Sequence, residues 1–241
     1  MFMLGFALLG STLLLPLFMQ TLLGYTAEQA GLALMPGGFT IMLLLPLVGF
    51  LLSRYSPRWL LLFGLVVLSA SLFHMTNFNL QIDFRTAATA RVFQAIGMAF
   101  LFVPINTAAY AFLPREKNNA ASGLMNLARN IGGSVGISFV TTMLDRRTQF
   151  HLTKLASNLS AANPALRSMV QGASQAMRAH GADAASATRQ AYALIQGTVQ
   201  RQATMLAYID CFWLLGVAIL CMVPMVFLMK KSKPGGGLAV H

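Results

Sequence analysis

Long apolar runs alternate with short polar segments along the chain, and six of these runs are long enough to cross a lipid bilayer. A hydrocarbon core about 30 Å thick needs about 20 helical residues at about 1.5 Å each. The apolar residues are continuous within each run, which favours helices over the alternating strands of a barrel. The predicted spans are Phe2–Leu23, Leu32–Leu52, Trp59–Met75, Ala87–Leu113, Ala121–Leu144 and Thr204–Met229.

The composition supports an integral membrane protein. Hydrophobic residues make up 56% of the chain and charged residues only 10%, and the mean hydropathy is +0.66. A soluble domain of this size could not cover its surface with so few charges. The net charge of +11 does not indicate nucleic acid as a partner, because the basic residues lie between spans and at the C-terminus. The lipid bilayer is the partner that explains them.

The basic residues also predict the orientation. The second and fourth connections and the C-terminal tail carry two or three of them each, whereas the first and third carry none or one. Short loops that keep positive charge remain in the cytoplasm, so both termini are predicted to be cytoplasmic. The residues concerned are Arg54 and Arg58, Arg115 and Lys117, and Lys230, Lys231 and Lys233.

The resulting organisation is five spans over residues 1–144, a periplasmic or extracellular loop over 145–203, a sixth span over 204–230 and a cytoplasmic tail over 231–241. Apolar residues recur at helical spacing in the loop, which predicts one or two amphipathic helices there. Two interpretations stay open: a solvated cap on the membrane surface, or a docking surface for an outside partner. The spaced residues are Leu166, Met169, Val170, Ala173 and Met177.

The chain also repeats itself at an offset of roughly ninety residues. Pro16 is followed by Gly37-Gly38 after a polar turn, and Pro104 is followed in the same way by Gly132-Gly133. Three spans, an odd number, separate the two copies, so the second must enter the membrane from the opposite side. The predicted fold is an all-α integral membrane protein, with six transmembrane helices arranged as two inverted three-helix repeats.

Polar side chains within the spans are the candidates for function, because each is unfavourable in lipid unless it faces a cavity or a partner. Arg91 and Asp210 lie at the same predicted depth, and we expect them to pair or to share one polar network. The alternative for Asp210 is a helix cap. Gln94 shares the helix face of Arg91. The candidates for a substrate or proton pathway are Gln20, Arg91, Gln94, Asn106 and Asp210.

The fifth span carries a stripe of polar and small residues. Asn126, Arg129, Asn130 and Gly133 repeat at i, i+3, i+4 and i+7, and such a stripe normally faces protein or water. Gly132 and Gly136 form a small-xxx-small pair that allows two helices to approach closely.

The sequence gives no support to enzyme chemistry. The histidines have no cysteine or carboxylate at metal-ligand spacing, so no metal site is predicted. Phosphate-binding glycine loops and nucleophile elbows are also missing from the sequence, and no cofactor is predicted. An ion channel is disfavoured because the sequence lacks a filter motif.

Three motifs together carry a resemblance to a known family. They are Arg91-x-x-Gln94-x-x-Gly97 with Pro104, the run from Ser122-Gly123-Leu124 through Asn126 and Arg129 to Gly132-Gly133, and Tyr208-Ile-Asp210-x-Phe212. The chain resembles the C-terminal half, the last six spans, of a major facilitator superfamily drug:proton antiporter of the 14-span EmrB/QacA type. The family usually has Asp and Gly where this chain has Ser53 and Ser56, so the resemblance does not imply an ion-pair latch in that loop.

The resemblance implies half of a major facilitator fold in a bacterial inner membrane, exporting hydrophobic or cationic drugs in exchange for protons. It implies contacts with a missing N-terminal half or a second copy, through Asn126, Arg129, Asn130, Gly132, Gly133 and Gly136. It also implies a periplasmic adaptor and an outer-membrane channel as partners. The chain is then a fragment, a truncated product or a half-transporter. The alternative function is a non-transporting membrane protein whose outer loop docks a partner.

Overall fold

The computed structural model describes residues 1–110, 117–157, 164–179, 181 and 183–228, and all regular structure in those ranges is helical. The prediction of an all-helical fold is thereby confirmed for this part of the chain. The helices are α1 (Phe2–Leu22), α2 (Ala27–Arg54), α3 (Pro57–Met75), α4 (Phe84–Tyr110), α5 (Asn118–Ser157), α6 (Pro164–Ala179), α7 (Ala184–Leu220) and α8 (Val223–Phe227).

Five helical segments of the described chain are long and apolar enough to cross a membrane: α1, α2, α3, α4 and the segment Ala184–Phe227, which contains α7 and α8. α5 is not among them, because the polar stripe of Asn126, Arg129 and Asn130 lowers its hydropathy. The fifth span at Ala121–Leu144, the total of six spans and the inverted repeat therefore stay predictions.

Two helices run much further than the apolar runs that predict them. α5 continues past Leu144 to Ser157, and α7 begins at Ala184, well before Thr204. No proline interrupts either extension, and alanine and glutamine are good helix formers. The 40 residues of α5 make a helix about 60 Å long, about twice a hydrocarbon core.

The predicted sixth span is also interrupted near its end. α7 stops at Leu220, a turn follows at Cys221 and Met222, and Pro224 lies in the first turn of α8. Proline cannot donate a backbone hydrogen bond, so it suits the start of a new helix. Leu113, Met229 and the tail 231–241 lie outside the described residues.

The chain divides into two compact units. The first comprises residues 1–141 together with the described residues from 209 onward, and the second comprises residues 142–208. In the first unit α1 contributes much of the core, with Leu14, Leu15 and Phe18 fully buried. Phe18 lies against Phe78, and Phe78 in turn lies edge-on to Phe212 of α7.

Within the first unit, glycine allows α3 and α4 to cross closely. A Cβ on Gly97 of α4 would lie 2.6 Å from the backbone nitrogen of Leu68, and one on Gly64 of α3 would lie 3.0 Å from the carbonyl oxygen of Gly97. A larger residue at either position would force the two backbones apart. This crossing fixes the position of α4, which carries Arg91 and Gln94.

α2 closes another side of α4. Its N-terminus is capped reciprocally by Thr26 and Gln29, and Val48 and Leu52 pack with Phe100 of α4. Other apolar side chains of α2 are among the most exposed of the described chain, with Leu43 at 77%. An outward apolar surface of this kind is typical of a helix that contacts lipid or another membrane segment.

The second unit contains a helical hairpin. Leu166 and Val170 of α6 pack against Ala191 of α7, with Ala173 and Ile195 at the edge of the contact. α6 covers the stretch with the apolar spacing after Asn163-Pro164, and part of its apolar face lies against α7, whereas Met169 is 59% exposed.

Candidate functional site

The centre of the first unit holds a polar network on α4. Arg91 is 8% exposed and Gln94 is fully buried. They lie three positions apart on one helix face, so Nη1 of Arg91 donates a 2.6 Å hydrogen bond to Oε1 of Gln94. Nε2 of Gln94 in turn donates to the carbonyl oxygen of Ser11 on α1, at 3.2 Å. The network therefore connects α4 to α1.

Two further contacts enclose the guanidinium group. The sulphur of Met98 lies 3.9 Å from Nη1 of Arg91 and 4.0 Å from the hydroxyl oxygen of Thr12, so α1 and α4 share a weak acceptor. On the α2 side, a Cβ on Gly37 would lie 2.7 Å from Cγ of Arg91. The missing side chain of Gly37 thus makes the space in which the arginine stem lies.

Arg91 keeps unused hydrogen-bonding capacity. Its Nε is buried and has no hydrogen-bond partner, and the hydrogen bonds of its guanidinium within the described chain go to Gln94 and Met98. Both acceptors are uncharged. Its predicted pairing with Asp210 stays a prediction.

The other pathway candidates lie on α1, α4 and α7. Gln20 is exposed near the end of α1. Asn106 donates a 2.6 Å hydrogen bond from Nδ2 to the carbonyl oxygen of Phe102 within its own helix. Asp210 lies half-buried on α7, between the fully buried Tyr208 and Phe212.

The stripe on α5 separates into a polar part and a glycine part. Nη2 of Arg129 donates a 2.6 Å hydrogen bond to Oδ1 of Asn126, and Asn130 is exposed. The glycine part is buried against α1 of the same chain: a Cβ on Gly136 would lie 2.7 Å from the carbonyl oxygen of Phe6. Gly132 and Gly133 likewise contact Phe2 and Leu9.

In the structure these glycines lie against α1 of the same chain: Gly132 and Gly136 face backbone atoms, and Gly133 faces the side chain of Leu9. The absence of a side chain at each position allows this close approach. A contact of the glycines with a second half stays a prediction. A role of Asn126, Arg129 and Asn130 at the contact between halves stays a prediction.

Apart from the polar network, the first unit holds an apolar cavity of about 300 Å³. It lies between the beginnings of α1 and α3, the end of α4, and α8, and Met3, Leu61, Leu101 and Met225 are among its lining residues. The pathway candidates are not part of its lining. Sequence patterns could not reveal it, because it exists only where four helices meet.

Sequence reasoning also missed four residues around Arg91: Ser11, Thr12, Gly37 and Met98. Each lies in an apolar run and is a residue type that is common in membrane helices. Only Gly37 gave a signal, as part of the repeated glycine pair, and that signal concerned the repeat and not the site.

Comparison with known proteins decides the family. The family model described as Major Facilitator Superfamily matches residues 1–151, more than half of the chain. The chain belongs to the Major Facilitator Superfamily. The match covers α1 to α4 and most of α5, and so includes the polar network and the glycine contact. With its apolar helices, this Major Facilitator Superfamily chain is a multi-pass membrane protein, and its family is one of transporters rather than enzymes.

Three relatives illustrate the similarity. The MFS-type transporter YhcA of Bacillus subtilis is 34% identical over 66% of the chain and 30% of its own length. The multidrug export protein EmrB of Escherichia coli is 29% identical over 96% of the chain and 44% of its length. The fatty acid resistance protein FarB of Neisseria gonorrhoeae is 28% identical over 97% and 45%. The chain thus spans less than half the length of these relatives.

Proposed function

We propose that this chain forms one half of a proton-coupled multidrug exporter of the bacterial inner membrane. The observation that carries the proposal is the Arg91–Gln94 network, buried in an apolar helical unit and connected to α1 by Ser11. Buried polar groups in a membrane protein are unfavourable and generally mark a substrate or ion pathway. Relatives named as multidrug export and resistance proteins support this class of activity.

In this proposal α1 and α4 line the path for hydrophobic or cationic compounds. Gln20 and Asn106 offer polar contacts along it, and Arg91 and Asp210 respond to charge and protonation near its outer end. These roles agree with helix positions, since all four residues lie on α1, α4 or α7. The path is completed by a second half, either an N-terminal half or another copy.

The contact with that second half is proposed to include Asn126, Arg129 and Asn130 of α5. Arg129 is half-buried and bonded to Asn126, and Asn130 is exposed, so the polar part of the stripe is available to a neighbour. A periplasmic adaptor and an outer-membrane channel are further proposed partners.

Reconstitution into liposomes tests the proposal. The chain, alone or with its second half, is expected to move a fluorescent dye across the bilayer when a proton gradient is applied, and an uncoupler should abolish the movement. Arg91→Gln and Gln94→Leu should each reduce the flux strongly. Dye movement that persists unchanged without a proton gradient would contradict proton coupling, and absence of flux in the assembled protein would contradict transport.

A second candidate function is docking by the second unit without transport. A groove of about 550 Å³ runs beside α7, and Met177, Leu194, Gly197 and Arg201 are among its lining residues. Leu194 is 52% exposed. Binding of an adaptor by a chain that supports no flux would favour this candidate, and a variant such as Leu194→Glu would then weaken the binding.

A further inference from the structure

We propose that the apolar cavity of the first unit holds one acyl chain of an anionic phospholipid, phosphatidylglycerol, and that Arg58 binds the phosphate group of the same lipid. None of the pathway candidates lines this cavity. The proposal therefore goes beyond transport, and it concerns a lipid bound between helices of one unit.

The cavity has the lining, the size and the access that an aliphatic chain needs. Its volume is about 300 Å³, and its lining residues are apolar. Leu61 and Leu101 are buried in it, whereas Met3 is 39% and Met225 47% exposed, so the cavity can be reached from the surface of the unit. An apolar cavity of about 150 Å³ already takes up benzene, so this one has room for a stretch of acyl chain.

The cavity also lies at the depth at which acyl chains begin. It is formed where α1 and α3 begin and α4 ends. Trp59 and Tyr55 are exposed at the start of α3 and just before it, and such aromatic side chains gather at the level of lipid headgroups. At about 1.5 Å per residue, Leu61 and Leu65 lie about 3 and 9 Å deeper than Trp59.

Arg58 supplies a donor for the headgroup directly above the cavity. It lies three residues before Leu61, hence on the same face of α3 and one turn closer to the headgroups. Its Nε is buried without a hydrogen-bond partner among the described residues, and the partly exposed side chain leaves its Nη groups at the surface. A guanidinium binds phosphate oxygens through two N–H groups at once, so a phosphate provides the acceptors that Arg58 lacks.

The charge around Arg58 favours an anionic headgroup over a zwitterionic one. Arg54 and Arg58 are the charged residues between positions 53 and 59, and this segment contains no acidic side chain. The ammonium group of a zwitterionic lipid would therefore meet two like charges and no carboxylate there. Phosphatidylglycerol has a phosphate and no cationic group, so it avoids this repulsion.

Photo-crosslinking on the whole 241-residue chain tests the proposal without transport. The chain is placed in phosphatidylcholine nanodiscs that contain a small fraction of phosphatidylglycerol with a diazirine in one acyl chain, and cross-linked peptides are identified by mass spectrometry. Cross-links are expected on the lining segments of α1, α3, α4 and α8. A phosphatidylcholine probe with the same acyl chains should give at least about fivefold fewer of them.

Three variants separate the site from general contact with lipid. Arg58→Gln should lower the phosphatidylglycerol cross-links about fivefold, to the level of the phosphatidylcholine probe. Arg54→Gln removes the same charge from the same connection, but Arg54 is exposed and lies over the ring of Phe50, so it should change them by less than about twofold. Ala108→Phe places a ring in the cavity and should remove the cross-links from its lining. Thermal midpoints show whether each variant folds.

Four results would overturn the proposal. They are equal cross-linking by the two probes, cross-links concentrated on the exposed face of α2 instead of the cavity lining, equal effects of Arg54→Gln and Arg58→Gln, and displacement of the probe by glycerol phosphate, which has no acyl chain. The second result would indicate ordinary boundary lipid, and the third would indicate unspecific attraction to positive charge. Should Arg58→Gln or Ala108→Phe fail to fold, the two probes and the map of cross-links on the unmodified chain decide.

Discussion

At the scale of single residues, groups from three helices surround the buried side chain of Arg91. Gly37 makes room for the stem of Arg91, Gln94 accepts from its head, and Ser11 fixes Gln94. Gly37 lies on α2, Gln94 on α4 and Ser11 on α1. Removing one of them changes the environment of a buried charge, so the effects of substitutions here are expected to be large and mutually dependent.

Gln94→Leu should destabilise the first unit. The change leaves Nη1 of Arg91 without its amide acceptor and removes the side-chain donor from the carbonyl oxygen of Ser11, which lowers the free energy of unfolding by about 1–3 kcal/mol. The thermal midpoint in detergent is the measurement. Gln81→Leu, at an exposed glutamine between α3 and α4, is the control and should have little effect. Equal midpoints for both variants would contradict the importance of the network.

Asp83→Ala should weaken the start of α4 in a pH-dependent way. Hydrogen bonds from the hydroxyl and the backbone N–H of Thr86 hold the pKa of Asp83 below its ordinary value. The ionised carboxylate therefore stabilises the fold above that ordinary value of about 4, and the contribution is lost as the pH falls through the lowered folded pKa.

Thermal midpoints measured across this pH range check the expectation. The gap between the unmodified chain and Asp83→Ala should be present at pH 7 and close in acid, whereas the gap for Asp83→Asn, which retains a neutral cap, should change less with pH. A gap for Asp83→Ala that does not depend on pH would exclude the carboxylate as its cause.

At the scale of helices, close contacts between backbones organise the first unit. Gly64 and Gly97 bring α3 and α4 together, and Gly132, Gly133 and Gly136 bring α5 onto α1. Such contacts depend on the absence of side chains, so their sensitivity to substitution differs sharply from one glycine to the next on the same helix.

Gly136→Ala and Gly123→Ala form a matched pair on α5. The new methyl group at position 136 would lie 2.7 Å from the carbonyl oxygen of Phe6, whereas position 123 has no atom within 4 Å. Gly136→Ala should therefore destabilise the unit by about 1–3 kcal/mol. Gly123→Ala should be neutral or stabilising by up to about 1 kcal/mol, because alanine favours helix. Similar midpoints for the two variants would contradict the α1–α5 contact.

The sequence predicts the helices better than the contacts between them. The apolar runs predict α1 and α3 almost to the residue, because length and hydropathy are local properties of the chain. They miss the outer parts of α5 and α7, since a polar helix stabilised by its neighbours has no apolar run. They identify Arg91 and Gln94 from their spacing, but not Ser11 or Gly37, whose roles arise only when three helices meet.

At the scale of the whole molecule, the chain is a member of the Major Facilitator Superfamily that is much shorter than the relatives it matches. The chain spans less than half the length of FarB and EmrB. Its first unit carries both a buried polar network and apolar side chains directed outward, as on α2. A second half would lie against such an outward surface, so residues at its edge become testable in the assembled transporter.

Arg129→Ala in the complete transporter should abolish drug resistance while expression stays intact. Arg129 is half-buried and donates to Asn126, so its loss would remove a polar anchor without opening the core. Growth on drug gradients, with membrane levels measured by immunoblot, is the assay, and Arg85→Ala is the control. Retained resistance at normal expression would contradict the proposed role of Arg129 at the contact between halves.

The direct approach of α1 and α5 has a mechanical consequence. Where Gly132 and Gly136 face the backbone of Phe2 and Phe6, no side chain separates the two helices, so a shift of one helix past the other at these points meets backbone atoms at once. We therefore expect α1 and α5 to move together as one rigid pair. Any opening and closing of the first unit would then take place at helix contacts that side chains fill, such as the contact between α2 and α4.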